Sequence, residues 1–239
     1  MPLVLVTGAG IRVGRAVALA FAKAGYDLIL HVNRSLEPAE EVAGLARAMG
    51  REATILRADL SQAHAVDELV KEVGAQTDTL DVLVNNAGIY EKCDFEKIDE
   101  QAFERMLSVH MRAPFFLTQG LLPLLKNAAS ASVINVTDSD LSRPYEGYSH
   151  YFSSKAGLDM LTRVLAIELA PGIRVNAVGP GTVAVPVGMT DDDAEGLIGG
   201  IPLRRFGSVD DIGQAALFLA EEGTYMTGQC LRIDGGRST

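Results

Sequence analysis

Cysteine is scarce in this chain: Cys93 and Cys230 are the only two, far apart in sequence and without metal-ligand spacing. That pattern excludes a disulfide framework and a metal site, and it suits ordinary packing in a reducing cytoplasm. Basic residues are outnumbered as well, 21 Lys and Arg against 31 Asp and Glu, for a formal net charge of -10. So acidic a chain is a poor match for a nucleic-acid backbone, although a local basic pocket fits within it. No apolar run is long enough to span a membrane, and the first strand pattern begins without a basic leader or a cleavage site. The expectation is a soluble, untargeted cytoplasmic protein that engages neither membrane nor nucleic acid. Repeats, low-complexity tracts and linkers are missing too, which leaves an internal domain boundary without support.

What is present is a rhythm. Short apolar runs, LVLV (3–6), LILHV (28–32), ATIL (53–56), LDVLV (80–84), SVINV (132–136) and IRVNAV (173–178), alternate with helix-period segments. The periods predict helices over about 13–24, 37–49, 62–76, 99–126, 148–170 and 209–220, with a last strand near 229–233. This alternation predicts one α/β domain over residues 1–239, a doubly wound Rossmann-type sheet of about seven parallel strands with helices on both faces. The segment 181–205, GTVAVPVGMTDDDAEGLIGGIPLRR, breaks the rhythm with glycines and prolines just past a strand's carboxyl end. A substrate lid is expected there.

The first strand runs into TGAGIRVGRA (7–16), where Gly8, Arg12, Val13 and Gly14 form a turn that opens a helix. Glycines let a backbone approach a pyrophosphate, and a helix N-terminus offers unpaired N–H groups; alone, such a turn is equally a tight strand-to-helix connection. The second strand ends in HVNRS, with Asn33, Arg34 and Ser35 where an acidic residue would grip an unphosphorylated ribose. An arginine and a serine suit a 2′-phosphate, so NADPH/NADP is the expected cofactor. Asp59 and Leu60 close the third strand, toward an adenine edge, and Asn86, Ala87 and Gly88 close the fourth. Each is also a plausible turn residue, and for Asp59 the two readings weigh the same.

Tyr151 and Lys155 stand four apart, hence on one helix face, where an ammonium beside a phenol makes the phenol a better acid. By spacing alone such a pair usually means a packed ring and a snorkelling amine. Their company decides. TGAGIRVG, NNAG, YFSSK and VGPG together resemble the short-chain dehydrogenase/reductase family over essentially the whole chain. The resemblance implies that Tyr151 donates a proton, that Lys155 binds the nicotinamide ribose and tunes Tyr151, and that Asn86, Gly88, Pro180 and Gly181 lie along the cofactor. It also implies a homotetramer built partly through the helices near 99–126 and 148–170.

Three departures from that family's pattern are informative. Arg12 replaces a glycine, Asp138 replaces the usual serine thirteen positions before the tyrosine, and His110 replaces the usual asparagine. Arg12, HVNRS and Asp138 resemble the pteridine reductases, a branch that includes the bacterial dihydromonapterin reductases, where a histidine like His110 also occurs. In that branch an aromatic at the position of Tyr90 stacks on the pterin, and an arginine like Arg12 reaches both the cofactor phosphates and the pterin. The chemistry agrees: a carbonyl reductase develops negative charge on oxygen, which an ionised carboxylate opposes, whereas reduction of a C=N bond needs a proton on nitrogen, which a carboxylic acid can supply.

The sequence therefore predicts an NADPH-dependent dihydropterin reductase with Asp138, Tyr151 and Lys155 catalytic, and Arg12, Tyr90, Asp138 and Tyr151 lining the substrate. Two alternatives stay open: a ketoreductase such as a 3-oxoacyl thioester reductase, and a cofactor-binding regulator without catalysis. The role of His110 is open between structure and catalysis, and Ser139 could replace the missing serine through a one-residue bulge. Asp140 reads as a loop charge and the 191–193 DDD run as a helix start.

Overall fold

The structure, a computed structural model, describes residues 1–183 and 191–239. Seven strands, β1 (Leu3–Thr7), β2 (Asp27–Val32), β3 (Ala53–Arg57), β4 (Val82–Asn85), β5 (Ala131–Val136), β6 (Ile173–Pro180) and β7 (Cys230–Ile233), form one sheet in the order β3-β2-β1-β4-β5-β6-β7. All six pairings are parallel, as expected of crossover connections through helices. The chain winds outward in opposite directions from β1 and β4, so the connections diverge above the carboxyl ends of these two strands. A crevice opens there by construction.

The helices are α1 (Arg12–Lys23), α2 (Leu36–Ala48), α3 (Ala63–Gly74), α4 (Glu100–Leu107), α5 (Ala113–Asn127), α6 (Ser149–Glu168), α7 (Asp191–Gly199) and α8 (Val209–Glu221). Strand alternation divides the core into two layers. Val4, Val6, Leu28, Leu30, Val82 and Val84 face α1, α2 and α8, while Leu5, Ile29, Leu83, Val133 and Val175 face α3 and α5. Both layers are closed to water, which is why the strands read as near-continuous apolar runs. On the first layer α1 and α8 approach closely: a Cβ on Gly213 would lie 2.9 Å from the Ala16 carbonyl oxygen.

Two expectations need correction. The single helix over 99–126 is two helices joined by a π-helical segment, Ser108–Arg112, where Pro114 at the start of the second helix has no N–H to bond the carbonyl of His110. The strand expected from Leu80 starts at Val82, since the Leu80 and Asp81 N–H groups bond to Leu124 and Leu3 outside the ladder. Within the expected lid, α7 begins at the aspartate run, and residues 184–190 lie outside the described residues.

Candidate active site

The glycine turn after β1 is built by close approach. Gly8 has φ +66°, and a Cβ on Gly14 would lie 2.0 Å from the Gly8 carbonyl oxygen. Ile11, the N-cap of α1, offers no side-chain cap and the first turn holds no acidic residue, so among the described residues its leading N–H groups are unclaimed. Arg12 takes φ +50°, a left-handed conformation that costs a residue with a side chain about 1 kcal/mol. Glycine is the unstrained choice at that position, so a cation stands there at an energetic cost. Val13 is half-buried against the core, behind Arg12.

Around this turn the neighbouring strand ends supply charge and anchoring. Arg34 is exposed past β2, and Ser35 lies against Gly10, where a Cβ would come within 2.7 Å of its Oγ. Arg57, which the sequence reading passed over, ends β3 opposite Val32 and donates from Nε to the Asn33 carbonyl at 2.9 Å. His31, also passed over, is 2% exposed; its Nδ1 accepts the Gly8 N–H at 3.3 Å and its Nε2–H donates to the Ala58 carbonyl at 3.1 Å. Burial pushes its pKa down to about 4, so the ring is neutral and both bonds persist at physiological pH. Asp59 Oδ1 caps its own turn by accepting the Ser61 N–H at 3.0 Å, and Leu60 is buried. Asn86 donates from Nδ2 to the carbonyls of Thr7 and Gly8, lashing the β4 end to the glycine turn, with Ala87 N–H on the Thr7 hydroxyl. Gly181 N–H bonds the Ile233 carbonyl and so joins the end of β6, at Pro180, to β7.

These features fit a dinucleotide. A glycine cradle that a Cβ would close, an uncapped helix N-terminus and three arginines at adjacent strand ends suit phosphate groups.

At the other side of the crevice β5 delivers Asp138 and α6 delivers Tyr151 and Lys155. Tyr151 Oη donates to Asp138 Oδ2 at 2.7 Å, and Asp138 Oδ1 accepts the Asp140 N–H at 2.7 Å. Lys155 is 4% exposed and donates from Nζ to the Val136 carbonyl at 2.6 Å. Burial raises the Asp138 carboxyl; the Tyr151 and Asp140 hydrogen bonds and the Lys155 charge oppose that, and Asp140 adds to it. Burial, then the charge of Asp138, hold the Tyr151 phenol well above its ordinary value. Burial brings the Lys155 ammonium down to about 8 against the pull of Asp138. With Asp138 ionised, then, Tyr151 is a poor acid, whatever Lys155 contributes.

Ser139 is fully buried with its Oγ unpartnered, and it is Asp138 that meets the Tyr151 hydroxyl. Tyr90, about half-exposed, stacks on Tyr148 at 4.5 Å, sets its edge against Tyr151 at 4.9 Å, and shares a 2.7 Å hydroxyl contact with Tyr145. An aromatic wall thus stands over the Asp138–Tyr151 pair. Of this wall, Tyr90 alone was legible in the sequence.

His110 lies in the π-helical segment, 1% exposed. Its Nε2 accepts the Ile89 N–H at 3.0 Å, which puts the ring proton on Nδ1, 2.7 Å from Ser154 Oγ. Ser154 in turn donates to the Tyr151 carbonyl at 2.6 Å. Burial, then Lys155 and His150, keep this imidazole neutral. With both nitrogens engaged, His110 ties the turn after β4 to the helix of Tyr151. A Cβ on Gly88 would reach within 3.0 Å of its Nε2, which accounts for that glycine.

Comparison with known proteins gives a consistent picture. A family model described as enoyl-(acyl carrier protein) reductase matches residues 8–238. A 3-oxoacyl-[acyl-carrier-protein] reductase of Staphylococcus epidermidis is 35% identical over 236 residues, 97% of each chain. FolM alternative dihydrofolate reductase 1 from Brucella canis, solved with NADP, superposes with a TM-score of 0.91 at 30% identity, covering 99% of this chain and 94% of that one. A blue fluorescent protein from a metagenomic library, solved with NADPH, gives a TM-score of 0.92 at 28% identity over 100% of this chain and 98% of the other. Agreement over nearly the whole chain in sequence and in superposition has one reading: the chain belongs to the short-chain dehydrogenase/reductase family of oxidoreductases.

Proposed function

We propose that the protein is an NADPH-dependent reductase of dihydropterins, of the dihydrobiopterin, dihydromonapterin or dihydrofolate type, which converts a ring C=N bond to the tetrahydro form. The observation that carries this reading is the 2.7 Å bond between Tyr151 and the carboxyl of Asp138, whose pKa burial raises. NADPH, when bound, supplies a hydride to the substrate carbon. Arg12, Arg34, Asn33 and Ser35, with Arg57 beside them, would hold its phosphates; Asp59 and Leu60 would flank the adenine; Asn86, Ala87, Gly88, Pro180 and Gly181 would line the way to the nicotinamide.

The proton comes from the Asp138–Tyr151 pair. When Asp138 is protonated, the bond between them can reverse, so that Oδ2–H donates to Tyr151 Oη and the phenolic proton points outward. As that proton passes to the ring nitrogen, the Asp138 proton replaces it. The phenol never becomes a phenolate, and the negative charge ends on a carboxylate attracted by Lys155. Tyr90 and Tyr148, stacked on each other, suit a planar ring by setting an aromatic stack beside the pair. Because only protonated Asp138 can feed the relay, turnover is high below its raised pKa and falls as pH rises through it.

A ketoreductase is the second reading, favoured by relatives named 3-oxoacyl-[acyl-carrier-protein] reductase. On a ketone, however, an ionised Asp138 repels the growing oxyanion. The deciding test is NADPH consumption with dihydromonapterin and dihydrobiopterin beside an acetoacetyl thioester, for the natural protein and Asp138→Ser. Dihydropterin turnover that is lost in the variant supports the proposal. Thioester turnover without pterin activity, retained or improved in the variant, overturns it.

The assembly we propose is a homotetramer. In support, Met160, Val164 and Ile167 are 55%, 41% and 80% exposed along one face of α6, and Phe115 and Phe116 are exposed on α5. Sedimentation of Ile167→Glu as a smaller species is the expected outcome; an unchanged tetramer places the contact elsewhere.

A further inference from the structure

Asp140 is buried two residues from Asp138, and among the described residues the charged partner of its carboxyl is remote in sequence. Arg237 Nε lies 3.1 and 3.0 Å from its two carboxylate oxygens, with the side chains 20% and 10% exposed respectively. The C-terminal turn is built to deliver that arginine. Asp234 accepts the N–H groups of Gly236 and Ser238 at 2.8 and 2.9 Å, Gly235 and Gly236 take φ +66° and +89°, and Arg143 donates to the Arg237 carbonyl at 2.6 Å. Among the described residues, the charged and titratable groups that face Asp138 are Tyr151 and Lys155 from α6, Asp140 from its own turn and Tyr145 from the facing loop, with Tyr90 beside Tyr151. Of these, Asp140 alone is anionic, and Arg237 is what neutralises it.

We propose that Arg237 is a positioning residue for Asp138: by pairing with Asp140 it fixes the turn that aims the Asp138 carboxyl at Tyr151 and cancels the negative charge beside it. The kinetic part of this inference rests on the dihydropterin reading; the electrostatic part does not. The Asp140 N–H that holds Asp138 Oδ1 belongs to the residue that Arg237 clamps, so geometry and charge are set by one contact.

The experiment compares Arg237→Gln, Asp140→Asn and the double variant by two readouts. One is the pH dependence of kcat/KM with a dihydropterin; the other is the Asp138 carboxyl titration by carbon-13 NMR of aspartate-labelled protein, assigned with Asp138→Asn. Arg237→Gln leaves two unshielded carboxylates and is expected to move the titration, and the falling limb of the rate profile, up by about one pH unit. Asp140→Asn moves both down, and the double variant returns both close to the natural values. If Arg237→Gln lowers the melting temperature and leaves the titration unmoved, the arginine merely staples the C-terminus and the inference is wrong. If the titration moves as expected while the natural protein turns over no dihydropterin, the inference stands and the substrate reading falls.

Discussion

His31 and His110 each accept a backbone N–H at the carboxyl edge of the sheet, yet they serve opposite kinds of construction. His31 joins backbone to backbone, from the glycine turn to the end of β3. His110 joins the turn after β4 to a serine on the helix of Tyr151. The proposed cofactor side is thus made of peptide groups and arginines whose charge does not vary with pH. The catalytic side is made of side chains that alter one another's affinity for protons. The lesson is that one edge holds a rigid receptor beside a tunable reactor, and perturbations should separate the two.

The sharpest separation is expected from Tyr151→Phe. Losing the proposed proton donor should lower kcat by about 10²–10⁴-fold while NADPH binding, followed by nucleotide fluorescence, stays unchanged. A parallel loss of affinity would mean that the two regions are not independent. Gly14→Ala attacks the receptor instead. Its methyl group would meet the Gly8 carbonyl at 2.0 Å, so a destabilisation of about 3 kcal/mol and loss of NADPH binding are expected in urea unfolding and titration. Normal stability would show that α1 can slide away from β1.

The histidines give a pH test. Since the His31 pKa is lowered to about 4, the unfolded chain binds the extra proton first, so stability is full above pH 6.5 and declines as pH falls toward 4. His31→Gln, which keeps a donor and an acceptor without titrating, should flatten that decline by about 3 kcal/mol at most. The smallest effect is expected at Arg34→Ala: about a tenfold weaker affinity for NADPH and none for NADH, measured as the ratio of dissociation constants. Equal weakening of both would place Arg34 off the 2′-phosphate.

The sheet was legible because both of its faces are buried, which leaves unbroken apolar runs, and the glycine turn was legible because close approach tolerates no other residue. Asp138, Tyr151 and Lys155 were legible as a pattern, and the structure brings Asp138 and Tyr151 into contact. What stayed hidden depends on pairing across strands. Arg57 stands beside HVNRS only through the β2–β3 register, and Arg237 reaches Asp140 across 97 positions. His31 looked like one more strand residue, although a histidine inside LILHV was the available sign of a buried polar task.

The π-helical segment Ser108–Arg112 has a consequence for the shape of the whole. An ordinary helix advances about 100° per residue, so a widened turn rotates everything after it relative to what came before. Here that phase shift lets one nearly continuous rod serve two clients: α4 lies along α6, and α5 turns its apolar stripe to α3 and the sheet. Removing one residue from the segment would re-time the rod, aiming one of the two stripes at solvent and swinging His110 off Ile89.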